Sequence, residues 1–402
     1  MVDTVSNLEQ KKQEYARQIF NIIRMHQPIS RNDIKKLSRY SMTTTLAVVD
    51  ELIKREAVVE VGAGESKYGR KPIWLTVNPS GGYFIGVDIS AQEIISVAVD
   101  LSGKVRYVDH CMLSCTQRKA PVVLAEICNS IKSLISRLPL NANIIGIGLG
   151  LPGYIDKEKG IVQHYAFIED WECVPIKQYI EDAFHLAVYI ENNVSCMALA
   201  YTWQENIPAD SPLVYLSLRS GIRMGSVLNG ALYSGAANTA GEIDHMSVGG
   251  HRKCHCGRTG CLVTEASVAG ILDKLTDGLR QGKFLPLMSH IDHDMTRLTL
   301  RAFIECVLEN DPECNAVLAE AAAAAGEAAA NIIMMLNPSD IVISSPLSMC
   351  GARFLRGIQE EAQRRVPAQG PSRSNIRYCK FGDHIGALGA ATLVMRDYSP
   401  LE

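Results

Sequence analysis

His245-Met-Ser-Val-Gly-Gly-His251-Arg-Lys-Cys254-His255-Cys256-Gly257-Arg-Thr-Gly260-Cys261 is the stretch around which the chain is organised. Three cysteines fall within eight positions. Gly257 and Gly260 between them admit the left-handed backbone that a tight knuckle needs. Three thiolates and one imidazole make a closed tetrahedral shell, the pattern of a structural zinc site; a catalytic site more often keeps a position for water. His245, nine positions upstream of Cys254, supplies the fourth ligand if the loop folds back. His251 and His255 compete for that place. The alternative is a set of unpaired thiols in a glycine-rich loop, because the spacing is not that of a common zinc finger.

The rest of the chain sets the context for that metal. Its 402 residues are 47% hydrophobic and 21% charged, a globular composition long enough for two or three domains. Met1 to Gln13 is polar and charged, which is not a signal peptide. No apolar run is expected to cross a bilayer. The expectation is a cytoplasmic protein with reduced thiols, in which clustered cysteines point to metal. The other nine of the 12 cysteines are scattered and read as small buried hydrophobes. The net charge of −3 hides an asymmetry. Residues 1–78 hold 13 Lys and Arg against 9 Asp and Glu, and the remainder holds 27 against 34. A basic head on an acidic body suggests that the head alone meets a polyanion.

The head, residues 1–78, reads as a winged helix-turn-helix. Tyr15 to His26 has helical spacing, with Ile19, Ile22 and Ile23 on one side, and Pro28 ends it. Ser30 is a plausible N-cap with Asp33 three positions on, close to a capping box, for a short helix over Arg31 to Leu37. Arg39-Tyr40 makes the turn, and Ser41 caps a third helix to about Arg55, the one that would enter the major groove. Thr45, Val48, Val49 and Leu52 have core spacing. Ser41, Thr43 and Thr44 stand where base contacts arise, and each hydroxyl is equally well read as a cap or a solvated group. No arginine stands at this tip to read guanine. Two strands, Val58 to Val61 and Ile73 to Val77, flank a glycine-rich loop whose Lys67, Arg70 and Lys71 can reach phosphates or the minor groove. The alternative is a winged helix that binds protein only.

The body alternates strands and helices, as an α/β protein does. Strands are expected over Gly81 to Val87, Ile94 to Leu101, Val105 to Ser114 and Ile144 to Leu149, with a helix over Pro121 to Leu138. A second round opens at Leu213 to Leu218 and Gly225 to Leu228. A long alanine-rich helix follows over Asn315 to Leu336, then a strand at Asp340 to Ser344. The repetition suggests two related lobes with a cleft between them.

These residues resemble the ROK family (repressors, open reading frames and sugar kinases). The carrying motifs are Gly150-Leu-Pro-Gly-Tyr-Ile-Asp156, Glu191-Asn192-Asn193, Gly241-Glu-Ile-Asp-His245, the Cys254 to Cys261 knuckle and Asn337-Pro-Ser-Asp-Ile-Val342. The head, ending in Gly69-Arg70-Lys71-Pro72, matches the repressor branch, which responds to sugars; the family's kinases lack it. The resemblance implies a two-lobed actin-like ATPase and sugar-kinase fold over residues 79–402. Lobe one is expected over about 79–195 plus the C-terminal helix, and lobe two over about 196–385.

The departures from the kinase pattern are as informative. The kinase opening Asp-x-Gly-x-Thr reads Asp88-Ile-Ser90-Ala91-Gln92-Glu93, which loses a glycine and brings a carboxylate toward phosphate. The second phosphate loop, Gly-Thr-Gly-Ile-Gly, reads Arg219-Ser-Gly-Ile-Arg223. The general base, the aspartate of Glu-Asn-Asp, is Asn193, and an amide cannot take the sugar hydroxyl proton. The glycines on the adenosine side are absent near Ser344-Ser345. No kinase activity is expected. By resemblance, Asn192, Glu242 and His245 bind sugar hydroxyls, and His245 also binds zinc with Cys254, Cys256 and Cys261. A further family glutamate is replaced by Val263, with Glu265 two positions on, and Asp244 replaces the glycine before the histidine.

The expectation is a transcriptional regulator, a repressor of carbohydrate genes, that binds a double-stranded operator as a homodimer or homotetramer, because one head reads only a half-site. A sugar or sugar derivative releases it, and structural zinc holds the pocket loop. The rivals are a sugar kinase with an appended head and a regulator governed by a protein partner.

Overall fold

The computed structural model describes residues 2–63, 73–367 and 374–401. Lys67, Arg70 and Lys71, the expected phosphate contacts of the loop, lie outside the described residues.

The chain opens with α1 (Val2–His26), β1 (Ile29–Ser30), α2 (Arg31–Ser38), α3 (Met42–Lys54), β2 (Val58–Ala63) and β3 (Ile73–Val77). Helix α1 starts far ahead of the expected Tyr15. Residues 8–16 are rich in Glu, Gln and Lys, strong helix formers whatever their polarity, so propensity extends a helix that apolar periodicity marks only in its second half. Its buried residues Ala16, Ile19, Phe20 and Ile23 recur at the helical period. Ser30 caps α2 by accepting from the Asp33 N–H at 3.3 Å. Arg39 closes that helix in the left-handed region at φ 61°. Ser41 caps α3, and Thr45, Val48, Val49 and Leu52 are its buried face. The three strands pair antiparallel in the order β1-β3-β2.

The body follows with β4 (Tyr83–Ile89), β5 (Glu93–Asp100), β6 (Val105–Met112), α4 (Ala120–Arg137), β7 (Ile144–Leu151), β8 (Tyr154–Asp156), β9 (Ile161–His164), β10 (Glu172–Val174), α5 (Ile176–Phe184), β11 (Val188–Asn192) and α6 (Asn193–Gln204). Then come β12 (Leu213–Leu218), β13 (Ile222–Leu228), β14 (Ala231–Leu232), α7 (Leu262–Ala266), α8 (Val268–Arg280), α9 (Leu285–His290), α10 (Leu300–Leu308), α11 (Pro312–Leu336), β15 (Asp340–Ser344), α12 (Ala352–Arg365) and β16 (Asn375–Tyr378). A C-terminal helix, Ile385–Asp397, is the last of these elements. The chain divides into two compact units, residues 1–206 with 382–402, and residues 207–381. The head is part of the first unit.

Each unit is built on a five-stranded sheet, β6-β5-β4-β7-β11 in one and β14-β13-β12-β15-β16 in the other. In both, the first three strands are antiparallel neighbours and the last two run parallel to the first. The same chain order in both sheets is the repetition seen in the sequence. In the first unit the C-terminal helix lies directly on the sheet and on α6. Added Cβ atoms would sit 1.8 Å from the Ala390 oxygen at Gly148 and 1.9 Å from the Cys196 oxygen at Gly389. Only glycine permits backbones that close, and the first unit's core fills the other side with Ile127, Ile131, Trp171 and their neighbours. Each such fully buried large side chain contributes about 1.5–3 kcal/mol.

In the second unit α11 packs into the core through Ala321, Ala325, Ala328 and Ile332, all fully buried. Contrary to the expectation that no apolar run is long enough, this helix could cross a membrane by length and composition, and its apolar stretch is 67% buried inside the fold. Alanines on most faces let it sit among α7, α10 and α12 rather than in lipid.

Candidate functional site

The knuckle is a small hairpin held by backbone bonds. The Val248 N–H donates to Gly260 at 2.9 Å, the Gly260 N–H to Arg252 at 3.0 Å and the Cys254 N–H to Arg258 at 2.8 Å. Gly260 has φ 67°, and a Cβ there would lie 2.3 Å from the Gly250 oxygen, so no other residue fits. This folding brings His245, Cys254, Cys256 and Cys261 together, with one donor atom of each within 4.8 Å of all the others. His245 Nδ1 is 3.4 Å from Cys254 Sγ, and Cys256 Sγ is 3.6 Å from Cys261 Sγ. A tetrahedral zinc with bonds of about 2.3 Å to sulfur and 2.0 Å to nitrogen sets its ligands about 3.5–3.8 Å apart, so the donor set fits that ion. The competing His255 stays adjacent, its ring 5.1 Å from that of His245. The Arg258 N–H and guanidinium hold the exposed Cys256 thiol down at about 6. Burial, reinforced by the neighbouring thiols, pushes Cys261 up to about 12. A shared cation would relieve that opposition of charges.

The carboxylate of Asp244, where the resemblance expects glycine, faces the other side of His245. Its Oδ2 lies 3.5 Å from His245 Nε2 and its Oδ1 accepts the His245 N–H at 3.0 Å. Carboxylates in that position fix a metal-ligating imidazole in one tautomer. Glu242 forms an ion pair with Arg223. Glu265 faces Lys274 at 3.6 Å and accepts the Arg252 N–H at 3.4 Å, so it braces the knuckle.

In the first unit, Asn192 is buried and caps α6. Its Oδ1 accepts the N–H groups of Val194 and Ser195 at 2.9 and 3.4 Å, and its Nδ2 donates to the Leu151 oxygen at 3.3 Å. Asn193 Oδ1 accepts the Val194 N–H at 2.9 Å, and its Nδ2 donates to the Ile89 oxygen at 3.5 Å. Beside them Lys157 pairs with the buried Glu191, which the sequence reading missed. A lysine just after a strand that ends at Asp156 was the available signal. Ser90 Oγ accepts the N–H groups of Gln92 and Glu93 at 3.2 and 3.1 Å, and Glu93 pairs with His110 at 2.8 Å.

At the head, Ser41 Oγ accepts the Thr44 N–H at 3.0 Å and touches the Thr44 hydroxyl at 2.8 Å. Thr43 is exposed beside them.

The ROK family sequence profile matches residues 84–397. The xylose repressor of Caldicellulosiruptor bescii is 30% identical over 371 residues, 92% of each chain. The glucokinase of Halalkalibacterium halodurans is 28% identical over 325 residues, 80% of this chain and 97% of its own. Among solved structures, a ROK family transcriptional regulator described as a homolog of the E. coli MLC protein superposes with a TM-score of 0.82 at 22% identity, covering 97% of this chain and 98% of its own. That likeness shows the fold alone.

Proposed function

The chain belongs to the ROK family, and from that premise we propose that it is a DNA-binding transcriptional regulator, a repressor of carbohydrate genes released by a sugar or sugar derivative. The observation that carries this reading is coverage. The xylose repressor matches along 92% of both chains, whereas the glucokinase matches nearly all of itself and leaves a fifth of this chain over. The two capped helices α2 and α3 joined at Arg39, followed by the β2–β3 pair, support a winged helix-turn-helix. In this reading Thr43 reads bases, Ser41 and Thr44 set the helix start, and Lys67, Arg70 and Lys71 meet phosphates.

The same reading makes the body a sugar sensor without kinase chemistry. The amides that would approach a phosphate at the β4–β5 turn are bonded to Ser90, and Asn193 holds no basic oxygen for a hydroxyl proton. Asn192, Glu242 and His245 are its sugar-facing groups. Zinc, held by His245, Cys254, Cys256 and Cys261, supplies structural cross-linking of the knuckle and nothing to a reaction. Paired heads, and so a homodimer or homotetramer, suit a two-fold operator.

The test is selection of duplexes from a random pool by the zinc-loaded protein, with a coupled ATP assay on a sugar panel alongside. An enriched palindrome with strong salt dependence is expected, the slope falling by about one unit in Arg70→Ala. Sugar-dependent ATP turnover with no enriched duplex would sink this reading in favour of a kinase.

A further inference from the structure

Strand β13 carries, at Arg223, a group for which the family pattern has no place. The family puts a phosphate-loop glycine there. Here the guanidinium pairs with Glu242, and Arg223 Nη2 also donates to the Ala240 oxygen at 3.4 Å. The backbone enforces the pairing. The Met224 N–H donates to the Gly241 oxygen at 2.9 Å. Gly241 has φ 93°, and a Cβ on it would lie 1.9 Å from the Met224 oxygen. Met224 and Gly241 are thus clamped together, and their neighbours Arg223 and Glu242 are held side by side. Both side chains are largely withdrawn from water, 12% and 26% exposed.

We propose that Arg223 is a specificity-determining residue of the ligand site, acting with Glu242 as one paired donor and acceptor surface that selects uncharged sugars. The inference rests on the reading of Glu242 as a sugar-facing group. A guanidinium offers only N–H donors in a fixed fork and a carboxylate only acceptors, about four of them, so one partner does not exhaust Glu242. Adjacent sugar hydroxyls each donate and accept, and match such a pair without disturbing it. A phosphorylated or acidic sugar must instead compete with Glu242 for Arg223, and an amino sugar must compete with Arg223 for Glu242. Either leaves a partly buried charge without its partner, which is costly. The arginine that removes the phosphate loop therefore also sets which sugars enter.

Titration calorimetry on the full-length zinc-loaded protein tests this. The probes are xylose, glucose and N-acetylglucosamine, with glucose 6-phosphate, glucuronate and glucosamine as charged counterparts. The variants are Arg223→Gly, Arg223→Lys and Glu242→Gln, with zinc content and thermal unfolding followed in each. One uncharged probe should bind the parent at least tenfold more tightly than its charged counterparts. Arg223→Gly should weaken it tenfold or more and shift preference toward glucosamine, because Glu242 is then bare. Arg223→Lys keeps the charge without the fork and should fall between, which preserves the test if the glycine variant does not fold. Uncharged-sugar binding within twofold of the parent, or tighter, in Arg223→Gly overturns the proposal alone, as does a charged sugar preferred by the parent. No binding of any probe to the parent overturns the sugar-sensor reading and the proposal with it.

Discussion

The Arg24 guanidinium lies over the Trp203 ring, 4.0 Å from its centre. Arg24 belongs to α1 and Trp203 to the last turn of α6, the helix that Asn192 caps at its other end. One helix thus runs from a residue of the proposed sugar site to the first helix of the head. Edge contacts of Tyr398 with Phe20 at 5.8 Å and Phe84 at 5.5 Å fix the same junction.

Burial pushes Arg24 down to about 9, so it stays charged at neutral pH and its desolvation is a standing cost. The ring offsets the cost at neutral pH. Trp203→Ala should therefore lower unfolding stability by about 2–4 kcal/mol. Arg24→Met, which removes the charge and keeps the length, should be neutral or stabilising. Denaturant melts of both single variants and the double variant check this; strictly additive effects would mean that the two residues do not interact.

At the head, cap and reader should separate. Ser41 holds the α3 terminus, and Ser41→Ala should cost about 1 kcal/mol of stability. Thr43 is exposed, so Thr43→Ala should leave stability within about 0.5 kcal/mol and weaken binding to the selected duplex more than to a scrambled one. Equal loss on both duplexes would remove Thr43 from base reading.

The start of α2 gives a pH signature. Hydrogen bonds from Ser30, then from Lys36, hold the Asp33 carboxyl below its usual value of 3.8. A depressed carboxylate stabilises above its unfolded pKa, and the contribution is lost as pH falls through the folded value. Ser30→Ala should cost about 1 kcal/mol at neutral pH, raise the Asp33 midpoint in an NMR titration and narrow its gap to the parent in stronger acid. An unmoved midpoint would show that Lys36 alone sets it.

What the sequence showed and what it hid divide along physical lines. The caps Ser30 and Ser41, the buried face of α3 and the repeated strand order were legible, because periodicity and capping are local. The gathering of the three cysteines was legible from spacing, but spacing left His245, His251 and His255 open as their partner, and it is the fold that brings His245 to them. The true start of α1 was not, since residues 2–13 carry propensity without an apolar stripe. The partners of Glu242 and Glu265 were hidden because they depend on where β13 and α8 place Arg223 and Lys274, which no local pattern encodes.

Metal removal should act on the whole second unit. One ion per chain is expected by elemental analysis, lost in Cys254→Ser, Cys261→Ser and His245→Ala and kept in His251→Ala and His255→Ala. Asp244→Gly should weaken metal affinity by about 10–100-fold. An ion at a hundred times its dissociation constant adds about 2.7 kcal/mol, so chelation should lower the melting temperature visibly. Metal retained in His245→Ala and lost in His255→Ala would move the fourth ligand to His255.

On the proposed reading, a carboxylate placed at position 193 should not make the chain a kinase. Asn193→Asp puts a carboxylate at the start of α6, where the Val194 N–H that Asn193 Oδ1 already accepts welcomes a negative charge. The variant should therefore fold at least as well as the parent. Phosphate would still meet a β4–β5 turn whose Gln92 and Glu93 amides are bonded to Ser90 Oγ. It would also meet Glu93, whose carboxylate stays near that turn against His110. A general base contributes typically about 10²–10⁴-fold, and only to a nucleotide that is already held. A coupled assay with ATP and the sugar panel should thus read background for Asn193→Asp. Turnover in that single variant would show that the phosphate loops still function and that the parent is one substitution away from an enzyme.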